Sequence, residues 1–411
     1  MSEPGRSAVS APTVPAGVPV VDLNPFSDEV LTNPQDFTQV WLEGGPIFWL
    51  SSIGTYCIAR HADLVSALKD WEHFGSGGGI GLTNKYVDPG TLPKSLLLEA
   101  DPPEHSHSRA IMNKIFSASA LQPLFERFSS EAEALIETLV ARGRFDAMSD
   151  LASIYGHRIV PREIGLAEHR PDLLFVFGAS LSNGVYPRNQ RHHDGQADPL
   201  LREAIGWIAE SCSPEKLSSD GWGAAVHAAA ERGECTPQQA LLLTRSLIGA
   251  GVENTVIAIG NLINALATHP DQWDLLKADP KLVRNAIEEV MRWDGPSMQF
   301  FRTTPKPTTF GGTTIPEGTK VLMQFYAANR DPRRWPNPDQ FDITRNTTGH
   351  VGFGFGIHHC LGQVVARKQM AAILEALLRR ARSIRLAEEP TRRLNNQAHV
   401  FAKLPIEVVP S

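Results

Sequence analysis

The spacing of apolar positions changes several times along the chain, and each change marks a different kind of element. Pro46 to Ser52 and Thr55 to Arg60 are short β-rich runs on either side of Ile53-Gly54, which predicts a hairpin. Leu64, Ala67 and Leu68 then fall at helical spacing, so His61 to Asp70 reads as a helix. Gly75 to Leu98 has weak periodicity and several Gly and Pro residues; a loop of that length in a compact enzyme is usually functional, here a candidate substrate lid. From Ser117 to Ala267 spacings of three and four dominate, as in Leu121 to Leu139 and Leu173 to Leu181.

Thr236-Pro237-Gln238-Gln239 has the form of a capping box with Pro at the first helical position. The helix it opens is predicted to run to about His269, on the order of 50 Å. Gly249, Gly251, Glu253 and Asn254 interrupt its apolar face, and such local inconsistency marks a functional site. Further on, the pattern predicts a helix over Pro280 to Trp293 and short strands with turns over Thr303 to Met323. A turn-rich segment from Ala328 to Gly352 follows, then a helix from near Cys360 to about Arg382 and strand-like sequence from Ile384 to Val409. The expected fold is mainly α with a small β-rich region. Residues 1–25, rich in Pro, Ser, Ala and Val, read as a flexible lead-in, and 26–411 as a single domain.

Composition narrows the function classes. With 39 Lys+Arg against 45 Asp+Glu the net charge is −6, which disfavours a general nucleic-acid binder. No basic n-region precedes an apolar stretch, and the apolar run Ala240 to Ala250 is broken by Thr244, Arg245 and Ser246, so neither a secretory leader nor a membrane span is expected. Four scattered cysteines without a CxxC pair point to a reducing cytoplasm.

Cys57, Cys212 and Cys235 read as buried small hydrophobes, whereas Cys360 ends a Gly-rich loop, Phe353-Gly354-Phe355-Gly356-Ile357-His358-His359-Cys360, at a predicted helix start. Free amides and the helix dipole there favour a thiolate, and the glycines would allow a bulky planar group close to the backbone. This loop resembles the haem-binding signature of the cytochromes P450, in which Phe353, Gly356, His358, Cys360 and Gly362 stand at the family's spacing. Glu289-Val290-Met291-Arg292 is similar to the family's ExxR, Ala250 to Thr255 to its oxygen-binding motif, and His105 to Arg109 to its HxxxR.

The resemblance runs from about Asn24 to Pro405 and implies the P450 fold, haem b (iron protoporphyrin IX) and Cys360 as the metal ligand. It places His105, Arg109, Arg302 and His358 at the haem carboxylates, beside Phe353, and pairs Glu289 and Arg292 with an arginine of the turn-rich segment, Arg345. Most family members carry an acid followed by Thr where this chain has Glu253-Asn254. An amide donates a hydrogen bond but relays no proton, so Glu253 is expected to carry proton delivery, with altered coupling and easier use of hydrogen peroxide.

The chain is most similar to P450s that demethylate para-methoxybenzoates, yet their basic anchor for the carboxylate is Leu92 here. That favours methoxyphenols such as guaiacol or syringol, with release of formaldehyde and a phenol. Demethylation of a methoxybenzoate, hydroxylation of another small hydrophobe such as a terpene, and a haem-thiolate ligand-binding protein stay open. The same comparison lines the substrate pocket with Leu92, Ser95, Leu98, Leu181, Ser246, Gly249, Ala250, Ser297, Phe300 and Ala398. The expected partners are a small aromatic substrate, O2 or hydrogen peroxide, and a separate reductase or ferredoxin, since the chain carries no flavin or iron-sulfur motif; neither nucleic acid nor membrane is expected.

Overall fold

The computed structural model describes residues 14–90 and 92–411. Residues 1–13 of the expected lead-in and Thr91 in the long loop lie outside them.

The helices in chain order are α1 (Asp28–Thr32), α2 (Thr38–Glu43), α3 (His61–Lys69), α4 (Glu104–Ile115), α5 (Ala118–Arg142), α6 (Ser153–Ile164), α7 (Pro171–Asn183), α8 (Gln190–Ala197), α9 (Pro199–Ser211), α10 (Trp222–Glu231), α11 (Pro237–Gly251), α12 (Glu253–Thr268), α13 (Pro270–Ala278), α14 (Val283–Trp293), α15 (Phe325–Ala328) and α16 (Gln363–Arg380). The strands are β1 (Val20–Val21), β2 (Phe48–Leu50), β3 (Thr55–Ile58), β4 (Arg144–Asp146), β5 (Gln299–Thr303), β6 (Thr308–Phe310), β7 (Thr313–Ile315), β8 (Lys320–Gln324), β9 (Ala381–Leu386), β10 (Thr391–Arg393), β11 (Val400–Lys403) and β12 (Pro405–Pro410). The mainly α fold with a small β-rich region is as expected.

The largest sheet has the order β1-β2-β3-β8-β5. The predicted hairpin is its centre, with Phe48 opposite Cys57, while β3 runs parallel to β8 and β8 antiparallel to β5. Val20 and Val21, inside the expected flexible lead-in, pair in parallel with Trp49 and Leu50 as β1. The hydrophobic faces of β2 and β3 need a covered edge, and two residues suffice to supply it.

The main core surrounds α12, which is buried from Thr255 to Ala267 and enclosed by α6, α14, α16, β9 and β11. A helix apolar on every side is stable only in such a position. Ile257, Ile259, Leu262, Ile263 and Leu266 are all almost wholly buried, each contributing roughly 1.5–3 kcal/mol. Deep in it, Asn261 Nδ2 donates to the carbonyls of Asp294 (2.7 Å) and His399 (3.2 Å), while Asn261 Oδ1 and Asn264 Oδ1 are buried without a partner among the described residues. The segment Pro237–Thr268 is long and apolar enough to cross a membrane, but 67% of its most apolar stretch is buried inside the protein.

The predicted capping box is present, with Gln239 N donating to Thr236 Oγ1 (3.1 Å) and Thr236 N to Gln239 Oε1 (2.9 Å). The single helix expected from there to about His269 is instead two, separated at Val252 (φ −87°, ψ −66°). Gly249 and Gly251 weaken the helix just before the break. Carbonyls freed by it are taken up by side chains, Ala250 O by Asn254 Nδ2 and Gly251 O by Thr255 Oγ1, both at 3.2 Å.

Candidate active site

The loop that carries Cys360 is held by backbone contacts. Cys360 N donates to Phe353 O at 2.9 Å, and Phe353 is buried with the Arg367 guanidinium 4.1 Å from its ring centroid. The following helix begins at Gln363, three residues later than expected, because Gly362 caps it. Burial pushes the Cys360 thiol up, while the amides of Gly362 and Gln363 and the charges of Arg109 and Arg367 draw it down. Those groups oriented on sulfur favour the anion, and a metal-coordinating thiol is deprotonated outright.

Two glycines of this region are required by the packing of backbone on backbone. At Gly356 (φ +69°) a Cβ would stand 2.2 Å from Leu68 O on α3, and at Gly352 it would stand 2.1 Å from Met291 O on α14. Their bare backbones meet other protein backbone, whereas Gly362 of the same loop has nothing within 4 Å of where a Cβ would stand.

Four basic side chains predicted to act together come from three elements. His105 and Arg109 lie one turn apart on α4, Arg302 is on β5, and His358 is in the cysteine loop, its ring centroid 4.4 Å from that of His105. His358 Nδ1 meets Leu97 O at 3.0 Å, but both His105 nitrogens and His358 Nε2 are buried without a hydrogen-bond partner among the described residues. Burial holds the His105 imidazole down at about 4, with His358 and Arg109 acting the same way. Arg302 is 6% exposed, donates to Phe301 O at 3.0 Å, and has no carboxylate at ion-pair distance among the described residues.

The sequence reading missed Asp101, which accepts from the amides of Ser76 and Gly77 at 2.8 Å each and lies 3.9 Å from His358 Nε2. Its only signal was its place two residues before the Pro103 that precedes α4. One carboxylate shared in this way does not satisfy Arg302 and two imidazoles. Buried donors without acceptors call for an anion. A cofactor bearing carboxylates, with a metal to take the Cys360 sulfur, fits these residues, and haem b has both.

On the helix break, Glu253 packs over Gly178 of α7, where a Cβ would stand 2.6 Å from its Cγ. Burial pushes its carboxyl up, and Arg393, 3.5 Å away, opposes that. Asn254 spends an amide hydrogen on Ala250 O.

Several residues expected around the substrate are brought together. Ser95 Oγ and Ser246 Oγ are 3.0 Å apart, Leu181 approaches Gly249, and Ser297 pairs by an isolated β-bridge with Ala398. Leu181 and Ala250 are exposed, Leu92 and Leu98 half-buried in the long loop, and Phe300 packs edge-on against Phe325 at 5.8 Å. For Leu92 the structure gives a place in the loop and no specific partner. Glu289, Arg292 and Arg345 form the expected network: Arg292 Nε is 2.7 Å from Glu289 Oε2 and Arg345 Nε 3.1 Å from Glu289 Oε1.

Residues 272–408 match the family model "Cytochrome P450". The chain is 39% identical over 397 residues to cytochrome P450 CYP199A2 of Rhodopseudomonas palustris, covering 96% of both chains. It is 32% identical over 351 residues to cytochrome P450 107B1 of Saccharopolyspora erythraea, covering 83% of this chain and 85% of that one. Among solved structures, cytochrome P450 CREJ in complex with (4-ethylphenyl) dihydrogen phosphate superposes with a TM-score of 0.82 at 26% identity, covering 94% of this chain and 98% of that one.

Proposed function

Because this chain belongs to the cytochrome P450 family, whose haem-thiolate monooxygenases use haem b, O2 and electrons from a redox partner, we propose that it demethylates small methoxyphenols. Haem b, held through the Cys360 sulfur and the His105, Arg109, Arg302 and His358 cluster, supplies oxygen activation and transfer of one oxygen atom. Hydroxylation of the methoxy carbon gives a hemiacetal that collapses to formaldehyde and a phenol. The second oxygen atom leaves as water, with two electrons from a separate ferredoxin or reductase and two protons. Glu253 is the acid through which those protons pass, and Asn254 holds the helix break in shape. Hydrogen peroxide can replace O2, the electrons and the protons together. The cytoplasmic setting belongs to the same proposal.

The observation that carries the substrate reading is where the hydroxyl protons go. Ser246 Oγ donates to Leu242 O at 2.9 Å, which uses its only proton, so Ser95 is the donor in the contact between the two serines. Ser95 Oγ in turn accepts from the amides of Leu97 (3.4 Å) and Leu98 (3.2 Å). What Ser246 retains is a lone pair, which accepts from a phenol O–H and repels a carboxylate. Of the nearby cations, Arg245 donates to Pro93 O at 2.6 Å and Lys94 to Gly77 O at 2.5 Å, each keeping further donors. The complex of the similar CREJ with a small aryl phosphate is a further point in favour of a small aromatic.

Titration of the ferric protein with guaiacol, syringol, 4-methoxybenzoate and a terpene, followed through the spin-state absorption shift, tests the reading. A shift with the methoxyphenols, and formaldehyde on turnover, is expected. A shift with only the benzoate or the terpene overturns it. Ser246→Ala should weaken guaiacol about tenfold while leaving methoxybenzene unchanged, in line with one buried hydrogen bond.

A further inference from the structure

Ser297 and Ala398, two small residues expected in the substrate wall, meet in an isolated β-bridge that belongs to none of the sheets. Two backbone hydrogen bonds flank it, His399 N to Pro296 O (3.0 Å) and Met298 N to Gln397 O (2.8 Å), and Gln397 Nε2 adds one to Ser297 Oγ (3.1 Å). So short a pairing is marginal by itself and needs support from elsewhere in the fold. That support stands at one end of it. His399 Nδ1 donates to Asp294 Oδ1 at 2.6 Å, and Arg392 Nη2 donates to Asp294 Oδ2 at 3.0 Å. The carbonyls of Asp294 and His399 share the Asn261 amide of α12, so the same two residues are tied to the core helix as well as to each other.

We propose that His399 is a positioning residue for substrate binding, its bond to Asp294 clamping the base of the bridge and so setting where Ser297 and Ala398 stand. The proposal rests on the reading of those two residues as substrate wall. Successive side chains of an extended segment point to opposite faces, so with Ala398 turned to the substrate His399 is turned away and acts from behind. The clamp is dry: Asp294 is 3% and His399 4% exposed. Arg392 lies 3.5 Å from the Phe401 ring centroid, and Tyr326 stands edge-on to the His399 ring at 5.9 Å. Burial pushes the Asp294 carboxyl up, but His399 and Arg392 outweigh it and hold the group well below the usual carboxylate range. Burial and Arg392 push the His399 imidazole down against the pull of Asp294, so the neutral ring, with its proton on Nδ1, makes the bond. The carboxylate and the guanidinium then balance in charge. A leucine at 399 leaves a buried carboxylate one donor short, whereas an asparagine offers an amide N–H near the place of Nδ1.

Two nitrogen ligands of ferric haem read the wall without catalysis, each followed through the haem absorption of the loaded protein. Imidazole is small enough to reach the iron with little contact to the wall, whereas the phenyl ring of 4-phenylimidazole must pack beside it. In His399→Leu, 4-phenylimidazole should lose about tenfold in affinity relative to imidazole, the scale of one lost ring contact. His399→Asn should recover most of that loss, which a merely disturbed fold would not allow. Arg392→Gln, which takes the second donor from Asp294 and leaves the first, should lose less, about threefold. An asparagine no better than leucine overturns the proposal; should His399→Leu fail to take up haem, an unchanged ratio in Arg392→Gln does so. Ala398→Leu alters the wall directly. A changed ratio there with an unchanged ratio in His399→Leu overturns the clamp alone, and an unchanged ratio in both overturns the wall reading with it. Neither probe is a methoxyphenol, so the choice of substrate stands or falls separately.

Discussion

Around Arg292 every donor is spent: two go to Glu289, and the rest to the carbonyls of Asn329, Pro338 and Gln340. Around Arg302, equally buried, the guanidinium finds one carbonyl of its own strand, while the nearby imidazoles of His105 and His358 keep nitrogens without partners. Both places bury positive charge in the same fold, at the same desolvation cost per ion. The first is closed on itself and holds the turn-rich segment to α14. The second is closed only by something the chain does not encode. Buried charge alone therefore does not mark a functional site, whereas buried charge left unsatisfied does.

The comparison breaks first at Glu289. Glu289→Gln leaves Arg292 and Arg345 buried without a carboxylate, and should cost about 3–5 kcal/mol in urea unfolding. A loss under 1 kcal/mol would mean the carbonyls alone suffice and the network is not closed by charge.

Lys320 sharpens the contrast as a third buried cation. It is 7% exposed and donates to Gly78 O (2.7 Å) and Gly79 O (2.8 Å), and burial brings its ammonium down to about 7, with Glu99 opposing. Unlike an arginine it can shed its proton. Between about 7 and its ordinary value of 10.5 the unfolded chain binds the extra proton, so stability should rise with pH through that window. From roughly pH 7.5 to 9.5 the gain should be about 2–3 kcal/mol. Lys320→Met should flatten that slope in pH-dependent unfolding; an unchanged slope assigns it to other groups.

The smallest effect is expected at the open cluster. Arg302→Met should speed transfer of haem to apomyoglobin about tenfold, the worth of one charged hydrogen bond, with little change in urea unfolding of the haem-free chain. If the haem-free chain instead loses as much as Glu289→Gln does, Arg302 belongs with the closed kind.

Much of this was legible in the chain because it depends on short spacing. Thr236 with Gln239, Glu289 with Arg292, and the loop ending at Cys360 each bring their groups together within a turn or two of backbone. The helix break at Val252 was half visible, since the glycines and polar residues were flagged, but helical spacing continues through it and conceals the interruption. Asp101 was barely legible and Arg393 not at all, because each meets its partner across many residues of chain. Val20 and Val21 were read as lead-in for the same reason, their strand partner being set only when β2 is in place.

The bare backbone at Gly352 and Gly356, seated on carbonyls of α14 and α3, divides the molecule in evolutionary terms. The cysteine is referenced to main chain, which substitution elsewhere hardly moves, whereas the substrate wall proposed above is made of side chains such as Leu181, Ser297 and Ala398. A lineage can therefore change what it oxidises many times over without renegotiating how it oxidises, and the cost of that freedom is concentrated in two positions that tolerate nothing but glycine.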